Sequence, residues 1–423
     1  MTLLNNEVIM QYFQYQNKEL FAEEIALKTI AEQYGTPCYV YSRAVIEHNW
    51  QAFNNALSHR PHRICYAVKA NSNLAILNVL ARLQSGFDIV SMGELERVLA
   101  AGGQADKIVF SGVGKKTAEI ERALQVGIHC FNIESEAEIE RIHQIAQSLQ
   151  KKARIALRIN PNIDAKTHPY IATGLKENKF GIEIDNILPL CAAITKMPYL
   201  ELTGIACHIG SQLTDLSPVM EAIDRLLELI TQLNNAGIHL QHLNVGGGLG
   251  ICYQDEQPPT IQEYVTAINS RLASCPLEII LEPGRSLVAN AGVLLTQVEY
   301  LKETPHRNFA IVDAAMNDLM RPALYNAWQN ILPVDLTSTQ EKKIYDVVGP
   351  VCESADFLGK ERQLKLQVGE LLAITDAGAY GFSMSSNYNS RPRVAEDQIH
   401  LIRRRETIDE LFAHEIQLPA IAQ

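Results

Sequence analysis

The sequence predicts a closed (β/α)8 barrel followed by a mostly β second domain. Between about residues 60 and 285, short β runs alternate with amphipathic helical stretches, and the β runs number eight. Beyond about residue 290 the helical pattern gives way to β-like segments with turn-rich spacers. A chain of 423 residues also exceeds one ordinary core, so two domains are expected.

The eight runs are ICYAV (64–68), FDIV (87–90), KIVFSG (107–112), CFNI (130–133), RIALRI (154–159), LTGIACHI (202–209), HLNV (242–245) and EIILE (278–282). Helical patterns fill the gaps. In 218–237 the residues Val219, Met220, Ile223, Leu226, Leu227, Ile230 and Leu233 share one face, and Gly237 ends the helix. Ser135 followed three residues later by Glu138 is a capping-box signature for a helix over 135–150. Eight strands joined by helices fit a barrel with its site at the C-terminal rim. An open doubly wound sheet is the alternative, which counting strands leaves standing. The boundaries read as an N-terminal segment, 1–32, that joins the β domain, a barrel over 33–285, and a C-terminal β domain over 286–423. Its strands are expected at VLLTQVEYL, FAIVDA, YDVVG and LLAITDAG.

Composition narrows the function. Hydrophobic residues make up 47% and charged residues 20%, as in folded globular proteins. A net charge of −11 argues against a nucleic-acid partner, which needs a basic footprint. No run approaches the roughly 18 apolar residues of a membrane helix. The first twenty residues lack the basic head, apolar core and small-residue cleavage site of an export signal. The eight cysteines are scattered, with no Cys-x-x-Cys pair and no Cys/His zinc spacing. Reduced cysteines, a cytoplasmic location and no metal are the expectation.

Chemically distinctive residues collect where the predicted strands end. Lys69 follows ICYAV, Asp88 and Ser91 lie in FDIVSMGE, and His208 and Ser211 lie in ACHIGSQ. Gly246 to Gly250 follow HLNV, and Glu282 to Arg285 follow EIIL. A lysine ending an apolar strand either snorkels to water or has a chemical task. Partial desolvation lowers its pKa, and the neutral amine can form a Schiff base. A glycine run bares backbone N–H groups for a phosphate, although it also makes plain tight turns. Glu282 and Arg285 suit a mutual salt bridge, or else Glu282 holds a proton on a pyridine nitrogen. His208 reads as a satisfied core histidine unless a flat ring gives its imidazole something to stack on. Together the lysine, the glycine loop and the carboxylate point to pyridoxal 5'-phosphate. The β domain adds Arg321 and Tyr325 in MRPALY, Cys352 and Glu353 in GPVCES, and Tyr380 in DAGAYG.

YAVKAN, FDIVSMGE, HIGSQ, GGGLG, EPGR, CES and GAYG, in this order, resemble the alanine-racemase-like (fold type III) pyridoxal phosphate decarboxylases. Within that group the stretch RINPNIDAKTHPYIATGLKENKFGI (158–182) and MRPALY are similar to the diaminopimelate decarboxylases. The resemblance runs from about Tyr34 to Ile402. It implies that Lys69 carries the cofactor, His208 stacks on its ring and Glu282 contacts the ring nitrogen. Asp88 is expected among the cofactor-binding residues. Ser211, Gly247, Gly248, Gly284 and the backbone at Arg285 would bind the phosphate, with Tyr380 also touching the cofactor. Arg285, Arg321, Tyr325, Glu353 and Tyr380 would hold an amino-acid substrate, and Cys352 would donate a proton. The family pattern further implies a homodimer in which Cys352 and Glu353 come from the second subunit. Met92 departs from it, standing where a small residue is common. The implied reaction is decarboxylation of meso-diaminopimelate to L-lysine. A decarboxylase for ornithine, arginine or a carboxylated polyamine is the alternative, and a racemase fits less well because racemases of this fold place an arginine at the ring nitrogen.

Overall fold

The structure is a computed structural model that describes residues 12–164, 173–174, 178–398 and 400–415. Part of the 158–182 stretch, residues 165–172 and 175–177, lies outside the described residues. The chain divides into two compact units, Arg43–Ala289 and Met1–Ser42 with Asn290–Gln423.

The first unit is the barrel. All eight predicted runs form parallel strands: β1 (His62–Ala67), β2 (Gly86–Ile89), β3 (Ile108–Phe110), β4 (Cys130–Ile133), β5 (Ala153–Asn160), β6 (Leu200–Ala206), β7 (His242–Asn244) and β8 (Glu278–Leu281). Each pairs with the next, and β8 closes on β1 through Ile279 to Leu281 opposite His62 to Ile64. Closure removes both sheet edges, which an open doubly wound sheet would leave. Helices α1 (Arg43–Leu57), α2 (Leu74–Arg82), α3 (Met92–Ala100), α4 (Thr117–Val126), α5 (Glu136–Ser148), α6 (Ile187–Ile194), α7 (Ser217–Asn235) and α8 (Ile261–Arg271) accompany the strands.

In α7 the buried face is Val219, Ala222, Ile223, Leu226, Leu229, Ile230 and Leu233, while Met220 and Leu227 are only half-buried. The small Ala222 lies on the buried face, and the larger Met220 and Leu227 flank it. At α5 only half of the predicted capping box forms. Ser135 Oγ accepts from the Glu138 amide, but the Glu138 carboxylate takes the Glu134 amide at 2.8 Å and Lys115 Nζ at 2.6 Å. A buried ammonium competes for that carboxylate better than an exposed amide does.

The second unit is mostly β. Its spine is Gly292–Glu303, which pairs with Cys38–Tyr41 and Leu371–Ile374 at one end and Asn308–Val312 at the other. Lys343–Val348 and Phe357–Leu364 extend the sheet beyond Asn308–Val312. The N-terminal segment enters this core, with Leu20, Leu27, Ile30 and Val40 packed against Val293, Leu295 and Ala373. Residues 33–42 therefore belong to the β unit rather than to the barrel, because CYVY is hydrogen-bonded to the spine. The other end of the barrel unit is Ala289 instead of Arg285, since Arg285–Val288 forms a buried helical turn.

Candidate active site

The segment after β1 is a tight turn because two asparagines bond the backbone. Asn71 Oδ1 accepts from the Asn73 amide at 3.1 Å, and Asn73 Oδ1 accepts from the Ala75 amide at 2.9 Å, capping α2. The Tyr66 hydroxyl donates to the Asn71 carbonyl at 2.9 Å. Lys69 sits in that turn with Nζ 4.0 Å from Asp88 Oδ2 of β2. The lysine side chain is 43% exposed and the aspartate 2%, so the amine stands in the open rim above a buried carboxylate. Burial raises the Asp88 carboxyl above the usual range, while Lys69 and Ser111 pull it back.

Glu282 follows β8. Its Oε1 accepts from Asn244 Nδ2 at 2.5 Å and Asn132 Nδ2 at 3.1 Å, and Asn132 Nδ2 also reaches Ser111 Oγ at 3.0 Å. Its Oε2 has no hydrogen-bond partner among the described residues. Burial and the Asp88 charge raise the Glu282 carboxyl, against the Asn244 bond and the cations Lys69 and Arg158. The two carboxyls titrate as a pair. Arg158 of β5 is itself buried, donating to Glu134 Oε1 at 2.7 Å and to the His208 carbonyl at 3.5 Å.

His208 follows β6, and its Nδ1 accepts from the Gly247 amide at 3.3 Å. That bond places the ring proton on Nε2. Burial, with Lys69 and Arg158 adding to it, holds the imidazole neutral by pushing its pKa well down. The glycine loop can only be glycine. A Cβ on Gly247 would stand 2.0 Å from the Glu282 carbonyl oxygen, and one on Gly248, at φ +106°, would stand 2.3 Å from the Gly210 carbonyl oxygen. The amides of Gly248 and Gly284 have no hydrogen-bond partner among the described residues, whereas the Gly247 amide is engaged with His208. Arg285 forms no ion pair with Glu282 among the described residues. Its Nη1 donates to the Tyr253 hydroxyl at 2.6 Å and its Nη2 to Ser211 Oγ at 3.0 Å.

One barrel rim therefore joins Lys69, Asp88, His208, Ser211, Gly247, Gly248, Glu282, Gly284 and Arg285. Asn132, Asn244 and Arg158 escape the sequence reading because each is a polar residue within a predicted β run; a polar residue near the C-terminal end of a barrel strand is the available signal. Glu94 was missed too. Its Oε2 accepts from the Val90 amide at 2.7 Å, and burial pushes its carboxyl up to about 7. Ser91 serves α3 as its cap, accepting from the Glu94 amide at 3.2 Å. An amine, an unengaged carboxylate oxygen, a neutral imidazole of fixed tautomer and two amides over a side-chain-free cradle suit the aldehyde, ring nitrogen, ring face and phosphate of pyridoxal phosphate.

The β unit bears the remaining five residues. Arg321 and Tyr325 are the first and last residues of one helical turn, Arg321–Tyr325, and so share a face at i, i+4. Cys352 and Glu353 are exposed on a loop ordered by buried Asp356, which accepts from the Met316 and Val351 amides, each at 2.7 Å. The Cys352 amide donates to Asn389 Oδ1 at 2.9 Å, and the Tyr388 hydroxyl to Glu353 Oε2 at 3.4 Å. Tyr380 is half-buried at φ +56°.

Residues 43–289 match the pyridoxal-binding domain of the pyridoxal-dependent decarboxylases. The chain is 58% identical to a diaminopimelate decarboxylase of Vibrio cholerae, over 97% of this chain and all of that one, and equally so to one of Pseudomonas aeruginosa. Among solved structures it resembles the Helicobacter pylori diaminopimelate decarboxylase complexed with L-lysine (46% identity, TM-score 0.89, 92% of this chain and 99% of that one). It also resembles the M. jannaschii diaminopimelate decarboxylase in co-complex with L-lysine (39%, 0.92, 97% and 99%). The chain belongs to the diaminopimelate decarboxylase family of pyridoxal-dependent decarboxylases.

Proposed function

We propose that this protein decarboxylates meso-diaminopimelate to L-lysine and CO2, the last step of lysine biosynthesis, using pyridoxal phosphate carried on Lys69. The observation that carries this reading is the 58% identity, along 97% of the chain, to enzymes named diaminopimelate decarboxylase. The barrel rim supplies residues suited to that chemistry.

When bound, pyridoxal phosphate supplies the electron sink for the pair left at Cα when CO2 departs. Lys69 holds it through Nζ. Glu282 Oε2 would keep a proton at the ring nitrogen, and the Asn244 and Asn132 side-chain amides hold the carboxylate through Oε1. His208, neutral and fixed by the Gly247 amide, would lie against the ring. The amides of Gly248 and Gly284, with Ser211, take the phosphate, and Asp88 and Tyr380 complete the cofactor set. Arg285 and Arg321 clamp the substrate's carboxylates bidentately. Tyr325 and Tyr380 add hydrogen bonds, and Glu353 receives the distal ammonium. Cys352 returns a proton to Cα. Its exposure in the isolated chain fits a homodimer in which Cys352 and Glu353 are supplied by the second subunit. The enzyme acts in the cytoplasm, where exposed thiols stay reduced.

Release of CO2 from meso-diaminopimelate, ornithine, arginine and lysine, measured side by side on the purified enzyme, tests the reading. Diaminopimelate should be turned over far faster than the others. A preference for ornithine or arginine would overturn the substrate assignment.

A further inference from the structure

The rim opposite the candidate site carries a second concentration of ligand chemistry. His129 immediately precedes β4, Cys130 opens it, and His242 opens β7, so all three lie at the N-terminal end of the barrel strands. All three are buried, at 4%, 1% and 1% exposure. One nitrogen from each ring and the Cys130 sulfur lie within 4.8 Å of one another. Cys130 Sγ is 3.9 Å from His242 Nε2, and the two imidazole centroids are 5.4 Å apart. No role in cofactor or substrate binding reaches this end of the barrel.

Two further observations point to a ligand. His129 Nε2 and His242 Nδ1 are buried with no hydrogen-bond partner among the described residues, which native interiors seldom tolerate without a water or an ion. The fold also makes room for His242. A Cβ on Gly204, its partner in β6, would stand 2.3 Å from His242 Nε2.

We propose that His129, Cys130 and His242 form a binding site for a soft monovalent cation, Cu(I) being the physiological case, at the N-terminal pole of the barrel. Thiolate with imidazole is a donor set selective for such ions. Ligands at about 2.0–2.3 Å from an ion stand roughly 3.5–4 Å from each other, so the cluster closes on one with a contraction of at most roughly 1.3 Å. Charge favours a monovalent ion. Arg63 and Arg154 bring positive charge to both histidines, and among the described residues only the first of them is paired with a carboxylate, Glu278 at 3.3 Å. One thiolate cancels one positive charge on the ion, while a divalent ion would leave a net cation beside two guanidiniums. The ion would tie β4 to β7 across the barrel floor.

The probe is Cu(I), delivered under anaerobic reducing conditions in competition with a chromophoric chelator, against the cofactor-loaded protein. The exposed thiols Cys252 and Cys352 are replaced by serine in this background so that they do not compete. The proposal expects one Cu(I) per chain, and X-ray absorption showing one sulfur and two nitrogen or oxygen ligands. Cys130→Ala and His242→Gln should each weaken binding at least tenfold, with the far-ultraviolet circular dichroism and the visible absorbance of the bound cofactor unchanged. If either variant does not fold, the coordination spectrum of the unsubstituted cluster still decides. Sub-stoichiometric binding, a coordination shell without sulfur, unchanged affinity in folded variants, or tighter binding of Zn(II) than of Cu(I) would each overturn it.

Discussion

Replacing Glu282 by glutamine isolates one contribution to the chemistry, because the structure dictates how the new side chain must sit. Two amide donors, Asn244 Nδ2 at 2.5 Å and Asn132 Nδ2 at 3.1 Å, converge on Oε1. An NH2 group there would face two donors, so the glutamine keeps its oxygen at Oε1 and turns its NH2 to the Oε2 position. A donor then meets the ring nitrogen, which can no longer keep its proton. Loss of one preorganised group at a site of developing charge costs about 3–4 kcal/mol, or a hundred- to thousandfold in kcat. Cofactor affinity should change little, since the phosphate and Lys69 contacts remain. Single-turnover CO2 release from meso-diaminopimelate measures the first quantity, and titration of visible absorbance the second. The same change has a pH signature. The folded Glu282 pKa is raised, so between the usual carboxylate range and that higher value the folded state binds more protons than the unfolded one. Stability of cofactor-free wild-type protein therefore falls as pH rises through that window, and the glutamine variant should lose less. A kcat within about threefold of wild type would remove Glu282 from the ring nitrogen.

Subunit mixing tests the shared site: Lys69→Ala and Cys352→Ala proteins, each crippled alone, should regain up to about a quarter of wild-type activity on random assortment. No recovery despite demonstrated exchange would confine both residues to one chain's site. Arg321→Ala should depress diaminopimelate turnover far more than cofactor binding and should narrow a discrimination against lysine on the order of 10⁴-fold, measured as the ratio of kcat/KM values. Lys115→Met should destabilise the barrel by about 3–5 kcal/mol, read from the urea midpoint, because it leaves a buried carboxylate unpaired. Lys115 is 1% exposed and donates to the Gly112 and Asn132 carbonyls at 2.8 and 2.7 Å as well as to Glu138. An unshifted midpoint would refute the reading that this buried pair holds the barrel together.

The candidate residues at the barrel rim are legible because a barrel puts such groups at strand ends, and strand ends are marked by an abrupt change from apolar to polar or glycine. Lys69 after ICYAV and Glu282 after EIIL announce themselves in this way. The groups that tune them do not. Asn132 in CFNI and Asn244 in HLNV sit within the strands, where a single polar residue reads as half of an alternating pattern rather than as an inward-pointing donor. Their shared target, Glu282, is 150 residues from the first and 38 from the second, so no local window contains the contact. The same limit explains the misplaced boundary at residue 33. CYVY is fully buried in the structure, and as a sequence it is indistinguishable from a barrel strand. What decides its sheet is pairing with Gly292–Leu295, a contact some 250 residues long in sequence and set by the spine's own register. Local pattern thus locates where a barrel can do chemistry, while the setting of the Glu282 carboxylate depends on the Asn132 and Asn244 side chains that the barrel brings to it. That division makes Asn244 as informative a residue as Glu282 for the electrostatics of this site: it supplies the shorter of the two bonds that hold one oxygen back and leave the other facing out.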